Sequence, residues 1–316
     1  MKDLRIVFMG TPDFAVKSLE AIIEAGFNVV GVITAPDRPA GRGRKLKESA
    51  VKSYAVSHNL KVLQPTNLKS EAFQKELKEL NPNVQVVVAF RMLPESVWAY
   101  PEYGTFNLHA SLLPQYRGAA PINWAIINGE EKTGVSTFFL DEKIDTGAMI
   151  FQEEVKISET ENVGSLHDRL METGARLVVK TLNAIASNEK VKTEPQPEIK
   201  GLKDAPKLSK ENTKIDWNAP VDEIYNLIRG LNPYPAAWCY LEDSSEEIQV
   251  KIYDIEKIKQ EHHLPNGTVT VNDRTIKIAA IDGYIIIKEI KLPGKRKMTS
   301  KELLNGFDFA PDAKMR

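Results

Sequence analysis

The sequence predicts an α/β protein in which a doubly wound, mostly parallel sheet is followed by a small antiparallel barrel. Three observations support this fold class: apolar strands alternate with amphipathic helices, a charged and proline-rich segment follows, and closely spaced β-type runs occupy the remainder. Near-continuous apolar strands separated by helices are typical of parallel sheets that are covered on both faces. A chain of 316 residues is also long enough for two domains.

The first domain is predicted over residues 1–188. Its opening strand LRIVFMG ends at Gly10, and the amphipathic segment TPDFAVKSLEAIIEAG that follows ends at the helix-stopping Gly26. Further strands are predicted at NVVGVIT, NVQVVVAF, GTFNLHA, TGVSTFFLD and GAMIFQEEVKI, and helices at SEAFQKELKELN and ENVGSLHDRLMETGARLVVKTLNAIAS. This alternation predicts a doubly wound domain, whose site is expected beyond the carboxyl ends of its strands.

A linker and a second domain are predicted after the long helix. The charged segment of residues 189–207 contains three prolines and few apolar residues, which is typical of a linker. Residues 208–316 begin with a short helix, VDEIYNLIRG, and continue with five β-type runs separated by turn residues. These runs, AAWCYLE, EIQVKIYDIEKI, GTVTV, TIKIAAID and GYIIIKEI, predict a partly open five-stranded, OB-like barrel.

Composition excludes several classes of protein. The longest apolar runs, such as VQVVVAF, are far shorter than the roughly 20 residues of a membrane helix, and no export signal is recognisable. The single cysteine, Cys239, excludes an internal disulfide and a multi-cysteine zinc site, and no histidine motif indicates another metal site. We therefore expect a cytoplasmic protein, a monomer, without a membrane or metal partner.

Charge is balanced over the whole chain but not locally. The net charge is −1, from 42 basic and 43 acidic residues. Residues 37–47, DRPAGRGRKLK, nevertheless carry five basic residues against one acidic residue, and residues 291–301, KLPGKRKMTSK, carry five and no acid. A single run of this kind is usually a solvated loop. Two runs that both contain glycine or proline favour contact with a polyanion.

Nicotinamide and flavin cofactors are not expected. The first strand leads into Gly10-Thr11-Pro12-Asp13, so the G-x-G-x-x-G pattern of dinucleotide-binding domains is absent. Stronger candidates follow a later strand, where Asn107 and His109 are two residues apart and therefore face the same side. An asparagine amide can donate to a developing oxyanion, and a histidine can move a proton.

Asp145, in the turn DTG after the next strand, is the candidate that orients His109. A turn-capping aspartate and a polar strand end are the structural alternatives for these residues. Neither a cysteine nor a serine in an elbow motif lies nearby, since Ser111 has no such context. Asparagine, histidine and aspartate without a nucleophile indicate direct acyl-type transfer through a tetrahedral intermediate.

These residues carry a resemblance to a known family. The stretch FNLHASLLPQYRGAAPINWAIINGE, with the aspartate of DTGAM, resembles the signature of folate-dependent formyltransferases. From Leu4 to about Leu304, the chain resembles the methionyl-tRNA formyltransferase family within that superfamily. The motifs that match in order are GTPDFA, TAPDRPAGRGRKL, QP, SLLPQYRGAAPI, DTG, KIDW and IRGLNPYPAAW.

The resemblance implies a role in translation initiation: formyl transfer from 10-formyltetrahydrofolate to the α-amino group of methionine on initiator methionyl-tRNA. It implies that Asn107 stabilises the oxyanion, that His109 moves a proton to the departing folate nitrogen, and that Asp145 orients the imidazole and favours its charged form. It also implies binding roles for further residues. Folate would contact Phe90, Arg91, Met92, Leu93, Ser111, Leu112, Leu113 and Pro114; tRNA would contact Arg42, Arg44, Lys45, Lys295, Arg296 and Lys297; and Phe14 would lie near the methionyl side chain.

One segment departs from the family's pattern. The family has A-Y/F-G-x-x-L-P after the third strong strand, whereas residues 89–94 read AFRMLP, one residue shorter and with Arg91 directly after the aromatic residue. This departure predicts a changed folate pocket. The alternatives to the implied function are a formyltransferase that acts on a sugar-nucleotide amine or another small amine, a hydrolase of formyl-folate, and a tRNA-binding module without activity.

Overall fold

The computed structural model describes residues 2–40, 45–187, 189–244 and 246–316. They form two compact units, each built from several segments of the chain. The first unit consists of Met1–Gly118, Thr133–Val155 and His167–Asp204, and the second of Ala119–Lys132, Lys156–Leu166 and Ala205–Arg316. The division at residues 188 and 208 stays a prediction.

The elements up to residue 187 alternate between strand and helix, as the sequence predicts. The strands are β1 (Arg5–Gly10), β2 (Asn28–Ile33), β3 (Arg38–Ala40), β4 (Lys45–Lys47), β5 (Val62–Leu63), β6 (Val84–Val88), β7 (Thr105–His109), β8 (Lys132–Phe139) and β9 (Met149–Lys156). The helices are α1 (Asp13–Glu24), α2 (Ala50–Ser57), α3 (Glu71–Glu79), α4 (Glu95–Trp98), α5 (Pro121–Ile127) and α6 (Val163–Ala186).

Seven of these strands form one sheet in the order β5-β2-β1-β6-β7-β8-β9. The pairs from β5 to β7 are parallel, and β8 runs antiparallel to β7. The predicted doubly wound, mostly parallel sheet is therefore confirmed. Parallel pairing brings the carboxyl ends of β1, β6 and β7 to the same edge, which is where sites in such sheets lie.

The close contact between β7 and α6 shows which way the side chains of β7 point. Leu108 of β7 faces α6, where a Cβ on Gly174 would lie 2.7 Å from its Cδ2. Because successive residues of a strand point to opposite faces, Asn107 and His109 point away from α6. All five residues of β6 are buried, as expected of a strand covered on both faces.

β3 and β4 form a separate two-stranded hairpin that the sequence patterns did not predict. They pair antiparallel, with Arg38 opposite Lys47 and Pro39 opposite Leu46. The hairpin lies within the basic run of residues 37–47. Leu46 is 70% exposed, so the hairpin has little apolar burial of its own.

The second unit contains the antiparallel sheet that the sequence predicts. Its elements are α7 (Val221–Leu231), β10 (Ala237–Asp243), β11 (Glu246–Lys259), β12 (Val269–Asn272), β13 (Thr275–Ala280), β14 (Gly283–Lys291), β15 (Met298–Thr299), α8 (Ser300–Leu303) and β16 (Lys314–Met315). The strand order is β12-β13-β14-β11-β10-β16, and β15 pairs with β14. A bridge between Thr268 and Lys314 joins the two ends of this order, as in a barrel.

The core of the second unit is largely aliphatic. Ile252 of β11, Ile278 of β13 and Ile287 of β14 are at most 1% exposed. Helix α7 adds its own apolar face to the same cluster, and its first N–H, on Val221, donates to Asp282 Oδ1 at 2.7 Å. Among the helices of the described residues, none is long and apolar enough to cross a membrane.

Candidate active site

The carboxyl end of β7 presents one free amide and one buried imidazole. Asn107 is half-buried, and its side chain makes no hydrogen bond with any of the described residues. His109 is 7% exposed. Its Nε2 lies 2.8 Å from the carbonyl oxygen of Tyr116, so Nε2 carries the proton and donates to that oxygen. Nδ1 is thus the ring nitrogen left for chemistry.

Asp145 faces that second nitrogen. Its Oδ2 lies 3.8 Å from His109 Nδ1, beyond a direct hydrogen bond but close enough for strong electrostatic interaction. The same oxygen accepts a hydrogen bond from the Gly118 N–H at 3.0 Å. Asp145 itself has φ 55°, in the left-handed region that aspartate tolerates better than most residues. The three predicted catalytic residues are therefore brought together.

Asp145 reaches His109 by an unexpected route. Since β8 is antiparallel to β7, β8 ends beside Phe106 and not beside His109. The loop of residues 140–148 therefore has to turn back toward the His109 end of β7. It passes so close to β8 that a Cβ on Gly147 would lie 1.7 Å from the Phe139 carbonyl oxygen, so only glycine fits there.

Gln196 holds this returning loop in place. Its Nε2 donates to the carbonyl oxygens of Asp145, at 2.8 Å, and Gly147, at 2.9 Å. Its Oε1 accepts from Arg117 Nη2 at 2.6 Å and from Arg117 Nε at 3.2 Å. One side chain thus ties the backbone of the Asp145 turn to the loop that supplies Gly118. Sequence reasoning placed Gln196 in the linker and missed it.

The loop after His109 is fixed by hydrogen bonds from the next strands. Ser136 Oγ donates to Ser111 O at 2.6 Å, and Gln152 Nε2 donates to Leu113 O at 2.8 Å. Of the predicted folate contacts in this loop, Ser111, Leu113 and Pro114 are buried and Leu112 is half-buried. Tyr116 has φ 60°, which is rare for a bulky side chain and aims its carbonyl at His109.

The second predicted folate segment borders a cavity. A cavity of about 560 Å³ is lined by Arg91, Met92 and Leu93, but not by Phe90. Its other lining residues are Thr66, Asn67, Leu68, Lys69, Pro94, Glu95, Trp98 and Glu142.

Arg91 is held against the segment that follows β5. It donates to the carbonyl oxygens of Pro65 and Thr66. Burial, with the charge of Arg38, lowers the pKa of its guanidinium. Ala89, which takes φ 48° at the end of β6, gives the shortened turn its sharp bend. Arg91 therefore has a structural task in addition to any contact with folate.

The predicted methionyl-pocket residue lies at the same edge of the sheet. Phe14 is in the first turn of α1, which directly follows β1, and it is 7% exposed. Its ring meets the ring of His167, on α6, edge-on, with centroids 5.3 Å apart. Its role beside a methionyl group stays a prediction.

The predicted tRNA contacts fall into two groups. Arg42 and Arg44 lie outside the described residues, and of Lys45 the structure describes only the backbone, which pairs with Ala40. In the second group, Lys295 is exposed, whereas Arg296 pairs with Glu302 at 2.7 Å and Lys297 with Glu289 at 2.5 Å. Two of these three cations are thus already neutralised by carboxylates.

Comparisons with known proteins identify the family of the chain. The family model described as "Formyl transferase" matches residues 4–182, and the model described as "Formyl transferase, C-terminal domain" matches residues 207–308. The methionyl-tRNA formyltransferase of Flavobacterium johnsoniae is 58% identical over 315 residues, covering 100% of both chains. That of Bacteroides thetaiotaomicron is 53% identical and covers 99% of both. The chain belongs to the methionyl-tRNA formyltransferase family. The predicted family and the predicted enzyme class, a formyl-transferring enzyme, are confirmed.

Solved structures of lower identity agree in fold. An N-formyltransferase from Helicobacter canadensis, solved with folinic acid and dTDP-3-aminofucose, has a TM-score of 0.65 at 21% identity. The match covers 90% of this protein's chain and 98% of the Helicobacter chain. HypX from Aquifex aeolicus, solved with tetrahydrofolic acid, has a TM-score of 0.62 at 18% identity, covering 96% of this chain and 47% of its own. At these identities the likeness supports the fold alone.

Proposed function

We propose that the protein transfers the formyl group of 10-formyltetrahydrofolate to the α-amino group of methionine on initiator methionyl-tRNA. The observation that carries the proposal is the Asn107 amide, which has no hydrogen-bond partner among the described residues, beside a buried His109 whose Nδ1 faces Asp145. This set can stabilise an oxyanion and move a proton without a covalent intermediate. Full-length relatives at 53% and 58% identity support the choice of acceptor.

Asn107 stabilises the tetrahedral intermediate in this proposal. The methionyl amine attacks the formyl carbon, and the formyl oxygen gains negative charge. The free Asn107 amide donates an N–H to that oxygen, an effect of about 3–4 kcal/mol on the barrier. Because the amide makes no hydrogen bond with the described residues, it has none to break when it donates to this oxygen.

His109 carries the proton from the attacking amine to the departing folate nitrogen. Its Nε2 donates a hydrogen bond to the Tyr116 carbonyl oxygen. Nδ1 is therefore the nitrogen that accepts the proton from the amine and passes it to the folate nitrogen. Asp145 stabilises the transient imidazolium from 3.8 Å. The gap keeps Nδ1 open to the substrate, while the Gly118 N–H holds the carboxylate.

We propose different residues as contacts for the donor and for the acceptor. For folate, we propose the cavity at Arg91, Met92 and Leu93, together with the loop of residues 111–114. For methionyl-tRNA, we propose Phe14 near the methionyl side chain and the β3–β4 hairpin with residues 295–297 as cationic contacts.

Formyl transfer to initiator methionyl-tRNA tests the proposal directly. Wild-type protein is incubated with 10-formyltetrahydrofolate and charged initiator tRNA, with free methionine as the control acceptor. Transfer to the charged tRNA should be lost by a factor of about 10² to 10⁴ in His109→Ala, while folate binding persists. Transfer to sugar-nucleotide amines, with none to methionyl-tRNA, would overturn the proposed acceptor.

A further inference from the structure

The β3–β4 hairpin is closed at its base by hydrogen bonds. The chain leaves β2 at Thr34 and returns to α2 at Ser49, and the two hydroxyls lie 2.7 Å apart. Thr34 is fully buried, and Ser49 caps α2 by accepting from the Lys52 N–H at 3.0 Å. The two ends of this excursion are therefore anchored to the sheet and to a helix.

Lys52 closes the base one step further out. Its Nζ lies 2.5 Å from Asp37, the residue before β3, and 2.9 Å from Glu48, the residue after β4. The Lys52 side chain is 16% exposed. A single ammonium group, from the first turn of α2, thus joins the two strands of the hairpin at the points where they begin and end.

Asp37 is held from its other side as well. Gln64, just after β5, donates to Asp37 Oδ1 and to the carbonyl oxygen of Ala35, both at 2.8 Å. The hydrogen bond from Lys52, followed by that from Gln64, lowers the pKa of Asp37. The hydrogen bond to Asp37, followed by that to Glu48, raises the pKa of Lys52. Asp37 and Lys52 therefore both carry their charges at neutral pH.

This arrangement matters for a polyanion. Arg38 and Lys47 face each other across the hairpin as like charges, a pairing that destabilises two strands. Asp37 and Glu48, next to them, would repel phosphate if they were not neutralised. Lys52 therefore acts on both problems, since it holds the strands together and compensates one of the two negative charges.

We propose that Lys52 is a positioning residue for the tRNA acceptor, which holds the base of the β3–β4 hairpin in a shape that is ready to bind. The inference rests on the proposed function, in which this hairpin contacts tRNA. Preorganisation of a binding loop raises affinity because the cost of ordering it is met before the ligand arrives. Lys52 itself need not touch the tRNA.

Steady-state kinetics of Lys52→Met test the proposal. KM for methionyl-tRNA should rise by about tenfold, with kcat and KM for the folate donor within about twofold of wild type. Lys52→Arg, which retains the charge and can bridge both carboxylates, should restore most of the tRNA affinity. Lys75→Met, which removes one positive charge from an exposed position on α3, is the matched control and should behave as wild type.

Two further measurements separate positioning from simple charge. Trypsin should cut Lys52→Met within residues 38–47 several times faster than wild type, because the hairpin opens more often.

In the triple variant Asp37→Asn, Glu48→Gln, Lys52→Met, the repulsive carboxylates are gone but the bridge is not restored. KM for tRNA should stay high, and a return to the wild-type KM would overturn the positioning role.

The outcomes also distinguish this inference from the proposed function. If wild-type protein does not formylate methionyl-tRNA, the proposed function is wrong. If wild-type protein does so and Lys52→Met has an unchanged KM for tRNA, the proposed function stands and the inference about Lys52 is wrong.

Discussion

The two sheets of the molecule use polar side chains in opposite ways. At the carboxyl end of β7 the first sheet keeps an unpartnered amide on Asn107 and a buried imidazole on His109. Two neighbouring residues, Tyr116 and Asp145, take left-handed backbone conformations. The second sheet has an aliphatic core, and its outer charges are paired, as between Lys288 and Glu256 at 2.9 Å.

The difference favours the first sheet as the place of the proposed chemistry. A left-handed conformation at a residue other than glycine costs about 1–3 kcal/mol, and a structure tolerates it where the surrounding contacts enforce it. Tyr116 and Asp145, the residues that face the two ring nitrogens of His109, are two such residues. We therefore expect substitutions at the first site to change turnover more than stability, and substitutions in the second core to do the reverse.

Asn107→Ala is the largest expected effect. It should lower kcat by a factor of about 10² to 10³, because it removes an oxyanion donor. The free energy of unfolding should hardly change, since the Asn107 amide has no hydrogen-bond partner among the described residues. Single-turnover formylation and thermal unfolding of the same preparation measure the two quantities. A large loss of stability with normal turnover would assign Asn107 to the fold.

Ile278→Ala, in β13, is the converse test and should have the next largest effect. Ile278 is fully buried, so its truncation should lower the free energy of unfolding by about 2–5 kcal/mol. Urea unfolding gives this number directly. Under conditions in which the variant remains folded, kcat should match that of wild type.

The single thiol of the protein sharpens this test. Cys239 belongs to the same core as Ile278, and burial raises the pKa of its thiol to about 12. A disulfide reagent should therefore react with Cys239 only after the second unit opens. Ile278→Ala should accelerate this reaction, whereas the matched deletion Ile6→Ala, in the fully buried part of β1, should not. Equal acceleration by both variants would mean that the two units open together.

The common direction of Asn107 and His109 could be predicted from the sequence because a simple geometric rule applies to strands. Asn107 and His109 lie two residues apart on a strand, so their common direction follows from the strand period. The aspartate was also predicted, but the route was not, because the return of residues 140–148 depends on a contact between Gly147 and Phe139. The Tyr116 contribution is a backbone carbonyl, which no residue type encodes.

The β3–β4 hairpin and Gln196 were missed for a related reason. Each strand of the hairpin has three residues, too few for a period-two pattern. Its closing interactions come from Lys52 and Gln64, which lie 15 and 27 positions after Asp37. Gln196 lies in a charged, proline-rich segment whose composition is that of a linker. The two hydrogen bonds that its amide donates go to Asp145 and Gly147, 51 and 49 positions earlier in the chain.

Gln196→Leu should have an intermediate effect on turnover. Loss of its hydrogen bonds to Asp145 O and Gly147 O loosens the loop that carries the carboxylate, so kcat should fall by about tenfold with KM little changed. Kinetics over a range of pH would show whether the profile of kcat changes shape, which a purely structural role would not produce.

Asn83 provides the matched control at the opposite end of the same sheet. Its amide also makes two hydrogen bonds to backbone, with Arg5 N at 2.7 Å and Asp3 O at 2.8 Å. Asn83→Leu should therefore reduce stability but leave kcat and its pH profile as in wild type. If both variants lowered kcat alike, the Gln196 effect would reflect general loosening of the sheet.

Glu302→Gln, at the start of α8, should have the smallest effect and tests whether the paired charges of the second unit contribute to its stability. Arg296, followed by the Thr299 backbone N–H, lowers the pKa of Glu302 to about 2. A depressed carboxyl pKa stabilises the fold above the unfolded value of about 4.3 and loses this stabilisation as the pH falls toward the folded value. The melting temperature of wild type should therefore exceed that of the variant slightly at neutral pH, and the difference should shrink steadily between about pH 5 and pH 3. Glutamine still accepts the Thr299 hydrogen bond, so the variant isolates the charge from the helix cap. Because this pair is exposed, high salt should reduce the difference at neutral pH too. A difference that grows on acidification would mean that Glu302 is repelled, and not held, by its surroundings.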